Sequence, residues 1–144
     1  MNNIVVYIEV TVNPTENLEK VKKAAENIFG SLDFKVKPGT GEHIYISQNK
    51  GYETLIRFHA LISREQIIAA ARKIFRIGMT EKSVNFFLNK QVAYAGHISF
   101  SQQTAESPLG PIAVQIKCDN PRKLIDWLAP RPPSKTRKNV SRNK

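Results

Sequence analysis

The chain has one cysteine, Cys118, in 144 residues. No internal disulfide can form, and nothing requires an oxidising compartment. Long hydrophobic runs are missing too: the stretch Ile4–Ile8 is far too short to cross a bilayer. The opening Met1-Asn2-Asn3 lacks the cationic and apolar segments of a secretory leader, so the expected location is the cytoplasm, with no membrane contact. Histidines are scarce and scattered. His43, His59 and His97 form no i, i+4 pair and flank no second cysteine, which removes the usual metal-ligand spacings. Phosphate-binding loops are absent as well. Pro38–Glu42 has two glycines but no Lys-Ser/Thr after them, and Lys82-Ser83 follows Glu81 where such a loop needs glycine. Cys118 has no base marked out for it and reads as a small buried hydrophobe at a strand end. No local spacing singles out a carboxylate pair among the 12 acids. The expectation is a non-enzymatic protein with no catalytic residues, no cofactor, no metal and no small-molecule substrate.

What the sequence does have is positive charge, unevenly placed. The formal net charge is +10. Residues 131–144 hold six basic residues and no acid (Arg131, Lys135, Arg137, Lys138, Arg142, Lys144), leaving sixteen of the 22 for residues 1–130 against 12 acids, a net +4. The chain therefore reads as one α+β domain over 1–130 and a basic tail over 131–144, disordered in isolation because it has almost nothing apolar to bury. Six cations without an acid suit phosphate, and RNA is the expected polyanion. Arg72 and Arg76 stand at i, i+4 and, with Arg64 and Lys73, make one helix basic. Lys90, in an expected turn, is a further candidate phosphate contact. Recognition by an RNA-recognition-type strand is not indicated, since Phe86-Phe87 lacks the Lys/Arg-Gly context and at least one of the two reads as core. The competing reading is a protein–protein module, such as a homodimer built on a sheet edge or face, with the tail incidental.

Hydrophobic periodicity supplies the elements. Ile4–Val12 alternates as a half-buried strand, broken at Asn13-Pro14. Asn17 caps a helix over Leu18–Phe29 that ends at Gly30, with Leu18, Val21, Ala25, Ile28 and Phe29 on one face. Residues 33–41 read as a loop with room for a short strand at Phe34–Lys37. Ile44–Ser47 is a strand, ended by a turn at Asn49-Lys50-Gly51. Leu55–Ile62 is a short helix, and Ser63 with Gln66 has capping-box spacing for another that ends at Gly78. Val84–Leu88 and Tyr94–Phe100 read as strands of a hairpin turning through Lys90–Ala93. Ile112–Ile116 is the fifth strand, and Asn120-Pro121 starts a last helix with Leu124, Ile125, Trp127 and Leu128 inward. Five mainly antiparallel strands with helices on one face is the economical arrangement.

Several segments carry a resemblance. Phe86-Phe87-Leu88-Asn89-Lys90-Gln91-Val92-Ala93-Tyr94-Ala95-Gly96 precedes Ile98-Ser99-Phe100-Ser101. Glu106-Ser107-Pro108-Leu109-Gly110-Pro111-Ile112 and Ile125-Asp126-Trp127-Leu128-Ala129-Pro130 follow. With Pro14-Thr15-Glu16, Lys20-Val21-Lys22-Lys23 and Gln66-Ile67-Ile68-Ala69-Ala70-Ala71-Arg72, this order resembles the archaeal uncharacterised protein family 0201. The resemblance implies a five-stranded antiparallel sheet with helices, similar to the domain of the ribosomal protein that holds five-S RNA, and an RNA-associated role. Val92, where that family usually has alanine, and the long basic extension after Pro130 depart from its pattern. The second departure ties tail-based RNA binding to this chain more than to the family.

Overall fold

A computed structural model describes residues 3–38, 44–101 and 110–131. Six strands form one sheet: β1 (Val5–Thr11), β2 (Lys35–Val36), β3 (Ile44–Lys50), β4 (Ser83–Asn89), β5 (Phe100–Ser101) and β6 (Pro111–Lys117). Their order is β2-β3-β1-β6-β4-β5, with every neighbouring pair antiparallel. The five helices are α1 (Leu18–Phe29), α2 (Glu53–Arg64), α3 (Ile68–Ile77), α4 (Lys90–Tyr94) and α5 (Pro121–Leu128).

Alternation decides which side of the sheet is covered. Val6, Ile8 and Val10 on β1, Ile112, Val114 and Ile116 on β6, and Val84, Phe86 and Leu88 on β4 are all buried. The register keeps them together, since Ile8 lies opposite Val114 and Val114 opposite Phe86. The helices supply the other half of this core. Phe58 of α2 stacks on Phe86 of β4 at 5.4 Å between ring centroids, and meets Phe29 of α1 at 5.2 Å and Phe75 of α3 at 6.0 Å. One aromatic seam thus joins four elements, and each ring taken from water contributes about 1.5–3 kcal/mol. Ser47, the polar residue on β3 facing this core, is satisfied by the Asn49 side-chain amide at 3.1 Å.

Cap chemistry fixes the helix ends. The Asn17 side chain accepts a hydrogen bond from the Glu19 N–H at 2.8 Å, and Gly30 closes α1 at φ +84°, a conformation that costs glycine little. Asn120 likewise accepts from the Lys123 N–H, with Pro121 in the first turn of α5.

Four sequence expectations are corrected. The sheet has six strands, not five, because Lys35–Val36 adds a short edge. The expected strand Tyr94–Phe100 is instead the end of α4, a turn and irregular chain over 95–99, and the start of the two-residue β5. Asn89 is responsible: its side chain accepts from the Val92 N–H at 2.9 Å and caps a helical turn where a tight hairpin was expected. β4 and β5 still pair, Phe87 opposite Ser101 and Leu88 opposite Phe100. β3 runs on through Lys50 before the chain turns at Gly51. Finally, Ser63 does not open α3 but lies in the last turn of α2, whose buried Leu61 and Ile62 carry the helix on to Arg64. The break comes at Gln66, at φ +59°. There the Glu65 carboxylate is held by the His97 ring and the Ile98 N–H, and the His97 bond keeps its carboxyl below the usual range.

Candidate nucleic-acid interface

α3 and α5 lie side by side on the helical face. Ala71 and Phe75 are buried on α3, which leaves Arg72 and Arg76 one turn apart along its flank. On α5, Leu124, Ile125 and Leu128 are buried, and the same geometry places Arg122 and Asp126 one turn apart. The two flanks meet. Arg72, Arg76, Arg122 and Arg131 line one cleft of about 330 Å³ together with Met79, Ile125, Asp126 and Pro130. A second depression continues over the other side of the α3 ridge, lined by Arg72, Lys73 and Arg76.

The four arginines of the cleft differ in freedom. The Arg72 side chain is 14% exposed; its Nη1 donates to Asp126 Oδ1 at 2.9 Å and to the Ala129 carbonyl at 3.0 Å. It pins the last turn of α5 onto α3 and neutralises Asp126, the one carboxylate lining the cleft among the described residues. Arg76, Arg122 and Arg131 are exposed, and no ion pair engages them among the described residues. Three unpaired guanidiniums around a concave surface form a positive site, and guanidinium is the side chain best shaped to grip phosphate oxygens.

Three residues expected from the sequence, Arg72, Arg76 and Arg131, are therefore brought together. Arg122 was missed, although the i, i+4 step from Arg122 to Asp126 on a helix whose apolar stripe was legible would have placed it. Lys135, Arg137, Lys138, Arg142 and Lys144 lie outside the described residues. Lys90 is a correction. It is buried, 5% exposed, with Nζ 2.6 Å from the Thr11 carbonyl oxygen and 3.0 and 3.2 Å from the two Glu16 carboxylate oxygens. Burial pushes the Glu16 carboxyl up, but the Asn13 N–H and the Lys90 ammonium outweigh it and hold the carboxyl below its ordinary value. Lys90 is an internal tie between α4 and the β1–α1 turn, not a phosphate contact.

Cys118 is buried, and burial pushes its thiol up, away from nucleophilic chemistry at neutral pH. Among the described residues no group of three or more His, Cys, Asp or Glu side chains is placed to hold a metal, and no helix is long and apolar enough to cross a membrane.

A family model described as RNA binding matches residues 5–118. A UPF0201 protein of Pyrobaculum islandicum is 40% identical over 123 residues, covering 85% of this chain and 86% of its own. The chain belongs to the UPF0201 family. Another member, from Sulfurisphaera tokodaii, is 38% identical over 126 residues, covering 88% of this chain and 87% of its own. The crystal structure of the UPF0201 protein from Methanococcus jannaschii superposes with a TM-score of 0.75 at 34% identity, covering 90% of this chain and 95% of that one. The matched span of the family model stops before α5. In this UPF0201 member Arg122 and Arg131 therefore lie beyond the segment that carries the RNA-binding description.

Proposed function

We propose that this protein binds RNA without catalysing a reaction on it, gripping the phosphate backbone in the α3–α5 cleft and extending that grip through the basic tail. The observation that carries the reading is the gathering of Arg76, Arg122 and Arg131 around one cleft, whose only lining carboxylate among the described residues is already held by Arg72. Arg131, which lines the cleft, is also the first of the six cations of the basic tail, and five more follow it in the sequence. The family model's RNA-binding description supports the choice of RNA among polyanions.

Phosphate contacts dominate such binding and carry little base information, so weak sequence preference is expected. The test is a salt series with RNA, comparing the full chain with a chain ending at Arg131. For single strands each neutralised phosphate adds about −0.7 to the slope of log K against log salt. Three free cleft arginines should give about −2, and the five tail cations should steepen it by about −3.5 if all engage. A truncated chain that keeps a slope near −2 supports the cleft as the folded part of the site. Loss of all binding on truncation would move the site to the tail alone, and no binding by the full chain would end the RNA reading.

A further inference from the structure

The helices cover one face of the sheet, and the other face has no element on it among the described residues. Three side chains stand there in a row across β3, β1 and β6: Gln48, Tyr7 and Gln115, since Tyr7 lies opposite both glutamines. The two glutamine amides make no hydrogen bond among the described residues. One step along the strands Lys50 and Lys117 flank Val5, and the Lys117 ammonium sits 5.3 Å from the centre of the Tyr7 ring. One step the other way Phe87 of β4 points out of the same face, while its neighbour Phe86 is buried. Tyr7 and Phe87 are separated by β6, which puts them roughly 10 Å apart across the strands, too far for one flat ring to touch both.

Charge on this face is not balanced. Glu9 is neutralised by Lys37 at 3.0 Å. Lys35, Lys50 and Lys117 are exposed and enter no ion pair among the described residues; Asp33, beside β2, lines the same shallow depression as Lys35 and Lys50. A second copy laid on this face would add the same excess of positive charge without offsetting it. The basic tail would do likewise. A polyanion would not.

We infer that the open sheet face is a second nucleic-acid surface, and that its ligand is single-stranded RNA, with bases on Tyr7 and Phe87, phosphates on Lys50 and Lys117, and base edges at Gln48 and Gln115. The inference rests on the reading that this protein binds RNA, and it narrows the substrate. A duplex keeps its bases stacked inside and can offer only phosphates, whereas a single strand can lay its bases on aromatic rings. The two surfaces then divide the work: the cleft holds backbone of either kind, and the sheet selects unpaired strand.

The experiment measures binding of a short uridine oligonucleotide and of an RNA duplex to the full chain, to Tyr7→Leu/Phe87→Leu and to Lys50→Gln/Lys117→Gln, with circular dichroism to show that each variant is folded. The aromatic variant should bind the oligonucleotide about tenfold more weakly and the duplex unchanged, since stacking on a side chain is sequence-tolerant but needs an unpaired base. Photo-crosslinking of the unaltered protein to a 4-thiouridine oligonucleotide should label the peptides bearing Tyr7 or Phe87, which keeps the test independent of any variant. Unchanged oligonucleotide affinity in both variants, or crosslinks confined to α3 and α5, would overturn the sheet assignment while leaving the cleft reading in place. A protein that binds neither RNA refutes both. A sedimentation dimer that the aromatic variant dissociates would show instead that the face pairs with a second copy.

Discussion

Replacing Lys90 with methionine isolates the contact on which sequence and structure disagree most. The variant keeps the length of the side chain and removes the charge. Glu16 would then keep its hydrogen bonds from the Asn13 N–H at 2.9 Å and side-chain amide at 3.0 Å but lose its cation, and the Thr11 carbonyl would lose a donor. With the Lys90 and Glu16 side chains only 5% and 10% exposed, this leaves a carboxylate buried without its partner. Breaking such a pair from one side costs about 3–5 kcal/mol, a large share of the roughly 5–15 kcal/mol that holds a domain folded. At about 3 °C per kcal/mol for a chain of this size, the melting temperature should fall by about 10 °C or more. Lys90→Met/Glu16→Gln should lose less than Lys90→Met alone, because no charge is then left stranded and the glutamine oxygen still accepts from Asn13. The pH dependence has a definite sign. The Glu16 carboxyl is lowered from 4.5 in the folded protein, so its stabilisation is complete above that value and is lost as pH falls through the folded one. The gap between wild type and Lys90→Met should therefore narrow in acid. Thermal melts followed by circular dichroism measure the wild type and both variants. A Lys90→Met protein that melts with the wild type but binds RNA more weakly would refute this reasoning and restore Lys90 to the surface.

Gly78→Ala should destabilise by about 1–3 kcal/mol, because an added Cβ would fall 1.8 Å from the Asn85 carbonyl oxygen across a backbone pairing; an unchanged urea midpoint would contradict it. Asn89→Ala should cost about 1 kcal/mol by removing the cap of α4, with faster amide exchange at Val92 as the specific sign. Phe58→Ala empties the centre of the aromatic seam and should cost about 3–5 kcal/mol in denaturant unfolding.

Which features could be read in advance follows from how local their causes are. α1 was legible to the residue because its apolar face, its Asn17 cap and its Gly30 stop all lie within the segment. β1 was legible because alternation is a property of the strand itself. α4 was not: its local cause, the Asn89 cap, was masked by the strand-like alternation before it, and what holds it in place is distant, a carboxylate 74 positions away on its leading lysine and Asn27 of α1 on its Ala93 and Tyr94 carbonyls. The same distance effect governed the site. The charge count pointed to the tail and to α3, and both contribute residues to the cleft. Arg122 stood on a helix that was legible, but its place beside Arg76 and Arg131 became visible only once α5 was packed against α3. The open sheet face was hidden for a related reason: Tyr7 and Phe87 are ordinary outward residues of β1 and β4 until β6 sets the two strands on either side of itself.

The central claim is that the α3–α5 cleft holds RNA phosphate, and charge reversal at its two exposed helical arginines tests it most directly. Arg76→Glu/Arg122→Glu changes neither the core nor the Arg72–Asp126 tie that docks α5. Its melting temperature should stay close to that of the wild type. Fluorescence anisotropy with labelled RNA, at one fixed moderate ionic strength and with the tail intact, should show affinity reduced by roughly tenfold or more, for single strand and duplex alike. A folded variant that binds both RNAs as tightly as the wild type would contradict the account.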